Sequence, residues 1–161
     1  MKYWLMKTEP SVFGIDDLRK APKQSTGWDG VRNYQVRNML RDDMKPGDQA
    51  FIYHSSCDVP GIAGIAKIIS DAYPDPTQFD RKHIHYDPKS TANAPRWFMV
   101  DLKFVRKCRR VITLEELRSP ENKALAGMLL LRAGNRLSIT PVDEAHWKSI
   151  LTIETAAPAR G

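Results

Sequence analysis

The stretch Arg96–Cys108, RWFMVDLKFVRKC, decides the fold class. Phe98, Val100, Leu102 and Phe104 alternate with Trp97, Met99, Asp101, Lys103 and Val105, so one face is wholly apolar and the other mixed. A period of two with such a face predicts a strand in a sheet packed against something. Outward from it, Tyr3–Thr8 alternates with both faces covered, as in a central or barrel strand, until Glu9-Pro10, where proline has no N–H for a ladder. Gln49–Ser55 reads as a strand, as does Pro60–Asp71, with Ile62, Gly64, Ala66 and Ile68 opposite Ala63, Ile65, Lys67 and Ile69. Gly61 and Gly64 leave room for a neighbouring strand or a ligand at the backbone. Leu137–Thr140 is a last short strand.

The helical signals are short. Ile15–Lys20 offers one or two turns, and over Asn33–Asp43 the residues Val36, Met39 and Leu40 make an apolar stripe beside a polar face of Asn33, Tyr34, Arg37 and Arg41. Thr113 to Glu116 matches a capping box, and Ser119-Pro120 opens a further short helix to about Gly127. Thr140-Pro141 reads as N-cap and first position of a terminal helix carrying Trp147, Ile150 and Leu151. Tyr73–Asn93, rich in Pro, Asp, Lys and Thr, reads as a long surface excursion with a turn of helix around Thr77–Asp80. Without GxGxxG, a P-loop or regular βα alternation, a doubly wound sheet is disfavoured. The expectation is α+β: a small mixed barrel of five to six strands surrounded by short helices, one domain over residues 1–154 with a flexible tail over 155–161.

A chain of 161 residues with 42% hydrophobic and 27% charged content suits one globular domain. Its net charge of +6 permits anionic partners without choosing among them. Cys57 and Cys108 make neither a disulfide framework nor a C-x-x-C pair, and the apolar patch of MKYWLMKTEP is too short for a secretory or membrane segment. These features predict a cytoplasmic protein with no membrane, metal or cofactor requirement.

Function concentrates in Trp28–Asn38, WDGVRNYQVRN. Aromatic faces stack on rings, arginine forks meet flat acceptors and amides read hydrogen-bond edges, a mixture that suits a planar anionic ligand such as a nucleotide. Two weaker arrangements, His54 with Cys57 and His83 with His85, lack the ligand number of a zinc site and the third group of a nucleophilic triad.

The runs YWLMKTEP, WDGVRNYQVRN, KPGD with FIYHSSCDVPGIAGIAKI, YPDPTQFD, RWFMVDLKFV and RLSITPV, in that order from Tyr3 to about Ile153, closely resemble the EVE domain family of the PUA-like superfamily. The resemblance implies a pseudobarrel related to YTH and ASCH domains and binding of nucleic acid that carries a modified base. Ser56 stands where the family commonly has asparagine, which removes an amide's two-sided edge.

Capture of one base needs two stacking faces, readers for the ring edge and cations for flanking phosphates. Trp28, Tyr53 and Trp97 are the candidate walls, Asn33, His54, Ser55 and Ser138 the candidate edge readers, and Lys7, Arg32, Arg37 and Arg41 the candidate phosphate contacts, with Tyr34 beside them. The expected partner is DNA or RNA with a modified base such as a modified cytosine, bound without catalysis. The alternative is an ASCH-like amidohydrolase acting on a modified nucleoside, for which Lys7, Thr8 and Glu9 supply the residue types. Strand alternation, however, sends Thr8 to the opposite side from Lys7 and Glu9. A third reading is an interaction module that uses the basic surface for a protein or ribosomal partner.

Overall fold

The computed structural model describes residues 1–156. In chain order it contains β1 (Tyr3–Thr8), α1 (Ile15–Lys20), β2 (Ser25–Gly27), α2 (Tyr34–Asn38), β3 (Gln49–His54), β4 (Gly61–Ile68), β5 (Tyr73–Pro74), β6 (Phe98–Met99), β7 (Asp101–Thr113), α3 (Leu114–Leu117), β8 (Ile139–Val142) and α4 (Glu144–Thr155). Six strands in the order β2-β7-β4-β3-β1-β8 form one mixed sheet, curled into a half-barrel, while β5 and β6 make a small ribbon. Only β1 and β3 pair in parallel within it. Among the described residues no helix is long and apolar enough to cross a membrane.

Both faces of the central strands are covered because their alternation feeds two cores. Trp4, Met6, Ala50 and Ile52 enter a core closed by Ile15 and Leu18 of α1 and Val36 of α2. Leu5, Phe51 and Tyr53 enter a second, closed by Leu117 and by Trp147 and Ile150 of α4. There Trp147 stacks on Phe51 with ring centroids 3.8 Å apart and on Tyr3 at 4.6 Å. Each fully buried large side chain contributes about 1.5–3 kcal/mol, so the two cores dominate folding.

Several expectations are corrected. The clean alternation over Pro60–Asp71 breaks at Gly64, where the register against β7 shifts: Ile62 and Ile65 join the second core, Ala63, Ala66 and Ile68 the first. A Cβ on Gly64 would lie 2.5 Å from Ile15 Cδ1, so the bulge lets α1 press on the sheet. The strand expected over Arg96–Cys108 divides into β6 and β7, and β7 runs on to Thr113; Phe98 and Phe104 are only partly buried. The helix over Asn33–Asp43 is α2 followed by a wider turn over Met39–Asp43, closed by Met44 N–H donating to the Met39 carbonyl at 2.9 Å. Thr113 caps α3 as expected, accepting from Glu116 N–H at 3.1 Å, but the segment to Gly127 holds only a single turn, Lys123–Leu125. Thr140 and Pro141 lie in β8 rather than opening α4, whose N-cap is Asp143. β8 is the sheet edge, where a residue without an N–H is tolerated. Of the expected tail, Thr155 closes α4, and residues 157–161 lie outside the described residues.

The largest correction is the excursion after β4. Asp75 and Gln78 are fully buried, because the segment folds back on residues 96–97. Gln78 Nε2 donates to the Trp97 carbonyl at 2.8 Å, its Oε1 accepts from Trp97 N–H at 3.1 Å, and Asp75 N–H donates to the Trp97 carbonyl at 3.0 Å. What reads as a polar surface loop is a folded wall.

Candidate nucleic-acid cleft

An open cleft of about 480 Å³ lies where the end of β1, the loop before α1, the segment after β2 and the excursion converge. Lys7, Phe13, Trp28, Asp29, Arg32 and His85 are among its lining, as are Thr8, Val12 and Ser138. Local structure explains the placement. β2 pairs with β7, and one residue beyond its end Trp28 N–H still donates to the Val100 carbonyl at 2.9 Å, so the Trp28 ring is held at a sheet margin. Phe13 and Trp28 both pack on the first core while lining the cleft.

Below the loop, the buried Asp75 carboxylate accepts from Gly30 N–H at 2.8 Å, Arg32 Nη1 at 3.1 Å, Thr77 N–H at 2.8 Å and Thr77 Oγ1 at 2.6 Å. Burial pushes this carboxyl up, and the bonds from Thr77, Gly30 and Arg32 outweigh it, so its pKa lies below the usual value. Gly30 has φ +82°, and a Cβ there would meet His85 Nε2 at 2.7 Å, so glycine meets both demands.

Arg32 is a clamp rather than the free phosphate contact expected. Its five N–H donors go to the His85 carbonyl twice (2.7 and 3.0 Å), the Val31 carbonyl (2.8 Å), Asp75 (3.1 Å) and Thr77 Oγ1 (3.0 Å). Trp97, expected as a wall, is 5% exposed and does not line the cleft. It lies behind Arg32, whose guanidinium carbon is 5.4 Å from the Trp97 ring centre. Tyr34 stacks on Trp97 at 4.7 Å, and Arg37 lies 4.8 Å over Tyr34, completing a run of cation–π and ring contacts that positions Arg32. Trp97 Nε1 donates to Asp87 at 2.7 Å. Asn33 is consumed as the α2 N-cap, accepting from Val36 N–H at 3.0 Å. His54 accepts from Ile15 N–H at 3.1 Å, and burial lowers its pKa, which keeps the imidazole neutral for that bond. Arg37 and Arg41 bond chiefly to neighbours, Arg37 to Asn38 and the Arg96 carbonyl and Arg41 to Asp42.

Of the residues expected at the site, Lys7, Trp28, Arg32 and Ser138 meet at this cleft. Tyr53 and Ser55 line a second cleft of about 310 Å³, which shares Lys7 and adds Arg118 and Arg132. Burial lowers the Lys7 pKa, and among the described residues it forms no ion pair. Ser56, also in the second cleft, has φ +52°, a left-handed conformation that asparagine accepts more readily than serine. Thr8 reaches the first cleft together with Lys7 because β1 ends there, and its hydroxyl donates to the Phe13 carbonyl at 2.6 Å. Glu9 lines neither cleft. The residues missed from the sequence are Phe13, Asp29, Asp75, Arg118 and Arg132. Phe13 alone carried a usable signal, an aromatic in a polar loop just before a helix, like that of Trp28. Among the described residues no three His, Cys, Asp or Glu side chains are placed to share a metal ion.

Comparison with known proteins gives consistent matches. Residues 2–153 fit the family model described as EVE domain. Thymocyte nuclear protein 1 of Homo sapiens is 47% identical over 98% of this chain and 76% of its own length, and that of Danio rerio 46% over 96% and 73%. Among solved structures, human THYN1 protein in complex with DNA containing 5-methylcytosine superposes with a TM-score of 0.91 at 46% identity, covering 98% of this chain and 100% of that one. A protein from Pseudomonas putida gives a TM-score of 0.88 at 43% identity, covering 94% and 99%.

Proposed function

We propose, from the premise that this chain belongs to the EVE domain family, that it binds nucleic acid without catalysis and holds one modified base against Trp28 and Phe13. The observation that carries the reading is that two aromatic side chains, Phe13 and Trp28, line one open cleft together with Lys7, which has no ion-pair partner among the described residues. That human THYN1 was crystallised with 5-methylcytosine in DNA makes this base in DNA the first ligand to test, with RNA as the comparison arm. The Asp29 carboxylate, exposed in the cleft, is an acceptor of the kind that takes a bond from the cytosine N4 amino group. Ser138 supplies a further donor and acceptor. Beyond Lys7, the second cleft offers Arg118 and Arg132 to phosphates of the same strand.

Magnitudes shape the expected specificity. Stacking contributes about 1–3 kcal/mol per base, whereas burying one extra methyl adds about 0.8 kcal/mol, roughly fourfold in affinity. The cleft therefore favours a methylated over a plain cytosine modestly, while the ring itself supplies most of the binding. Extrusion from a duplex costs a few kcal/mol, which stacking alone only balances.

Titration of short single-stranded DNAs and RNAs with either 5-methylcytosine or cytosine at one position tests the reading. Wild-type protein is expected to bind the methylated DNA several-fold tighter, and Trp28→Ala to lose about 10- to 100-fold. Equal affinity for all strands, unchanged by the substitution, would leave only general anion binding.

A further inference from the structure

Near the cleft stands an apolar side chain that the base-binding reading does not use. Ile84 is 90% exposed, above every other large hydrophobic side chain among the described residues. It sits between His83 and His85, and the His85 ring lines the cleft against Gly30. Exposure on a floppy loop would mean little, but this tip is braced. His83 N–H donates to the Asp80 carbonyl at 2.9 Å, Lys82 N–H to the Asp80 carboxylate at 3.0 Å, and Tyr86 N–H to the His83 carbonyl at 3.0 Å. His85 N–H donates to His83 Nδ1 at 3.0 Å, and the His85 carbonyl takes the two bonds from Arg32. Arg32 thus fixes the cleft wall and the tip together. The exposed cations Arg81 and Lys82 lie three and two residues before Ile84.

We infer that Ile84 is a wedge for double-stranded DNA: when a base leaves the stack for the Trp28 cleft, Ile84 fills the gap, and Arg81 and Lys82 meet the adjoining phosphates. The inference rests on the base-capture reading above. It supplies the favourable contact that extrusion from a duplex requires beyond stacking in the cleft, and inserted isoleucine, leucine or phenylalanine side chains are an established way to hold unstacked steps apart. Val12, 77% exposed, is the other large apolar side chain at this place, but it lines the cleft itself and so belongs to the base rather than to the gap.

The test uses Ile84→Ser and Ile84→Leu in the whole chain, with a duplex carrying one 5-methylcytosine next to 2-aminopurine and the matching single strand. Because Ile84 is almost fully exposed, both variants keep the fold. Ile84→Ser is expected to weaken duplex binding about tenfold while leaving single-strand binding unchanged, and to quench the rise in 2-aminopurine fluorescence that wild type produces. Ile84→Leu retains both. A duplex-to-single-strand affinity ratio that Ile84→Ser does not alter, with an unchanged fluorescence rise, overturns the wedge. The methylated-to-plain ratio on single strands reports the base-capture reading separately: its absence is a failure of base capture, whereas its presence beside an unaltered duplex ratio in Ile84→Ser is a failure of the wedge alone.

Discussion

Asp75→Ala is expected to cost about 3–5 kcal/mol of folding stability and to abolish ligand binding. The carboxylate is fully buried and accepts four bonds, from Gly30, Arg32 and both polar groups of Thr77. Removing it leaves the guanidinium of Arg32, 21% exposed, facing a void without its counter-charge. The Gly30 amide loses its acceptor at the same time, so the loop that carries Trp28 loses its anchor on the excursion. Asp75→Asn, which keeps the shape and one acceptor, is expected to cost less, about 1–3 kcal/mol. Chemical denaturation of the three proteins gives the comparison, and a loss below about 1 kcal/mol for Asp75→Ala would contradict the anchor role.

The second large effect is on acid stability. Glu154 is buried and receives two bonds from Arg106, at 2.7 and 2.8 Å, and one from Arg109 N–H at 2.9 Å, tying α4 to β7. The Arg106 bonds hold its pKa at about 2 against an ordinary 4.5, although burial works in the opposite direction. A carboxylate with a depressed folded pKa stabilises above its unfolded pKa, and that contribution is lost as pH falls through the folded value. The window therefore runs from about pH 5 down to about pH 2. The loss is about 2–3 kcal/mol, with Arg106 partly screened because it is 41% exposed. Denaturant melts between pH 6 and pH 2 should show this loss in wild type and a flatter profile in Glu154→Gln, which starts from lower stability at pH 6. Parallel profiles would remove Glu154 as the cause. The neighbouring Cys108 thiol, pushed up to about 12 chiefly by burial, stays protonated throughout.

The sheet was legible because alternation is a local property. Tyr3–Thr8 reads as a doubly covered strand and is one, with Leu5 in one core and Trp4 and Met6 in the other. Bulges are not local in that sense: nothing about Gly64 in isolation says that Ile15 will press on it, so the alternation of β4 was carried one step too far. The site was legible by residue type and not by partner. Trp28 stands out as an aromatic in a polar, glycine-flanked loop, and the structure keeps it in the cleft. Arg32 and Trp97 have the same chemistry as binding residues, but a carbonyl 53 positions later and the fold-back of Gln78 consume them. Long-range hydrogen bonds of this kind decide whether an arginine reads a phosphate or holds a wall, and no spacing in the chain encodes them. The resemblance to the EVE domain reached the family directly, whereas composition and periodicity reached only a small barrel with a polar aromatic face.

The central claim is that one base occupies the space bordered by Phe13 and Trp28. A crystal structure of this chain with a short DNA carrying a single 5-methylcytosine tests it most directly. The account predicts the methylated ring within van der Waals distance, about 3.5–4 Å, of the Trp28 face, with Asp29 at its amino edge and the adjoining phosphate near Lys7. A ring seated against Tyr53 in the second cleft, with the Trp28 cleft holding no base, would contradict it.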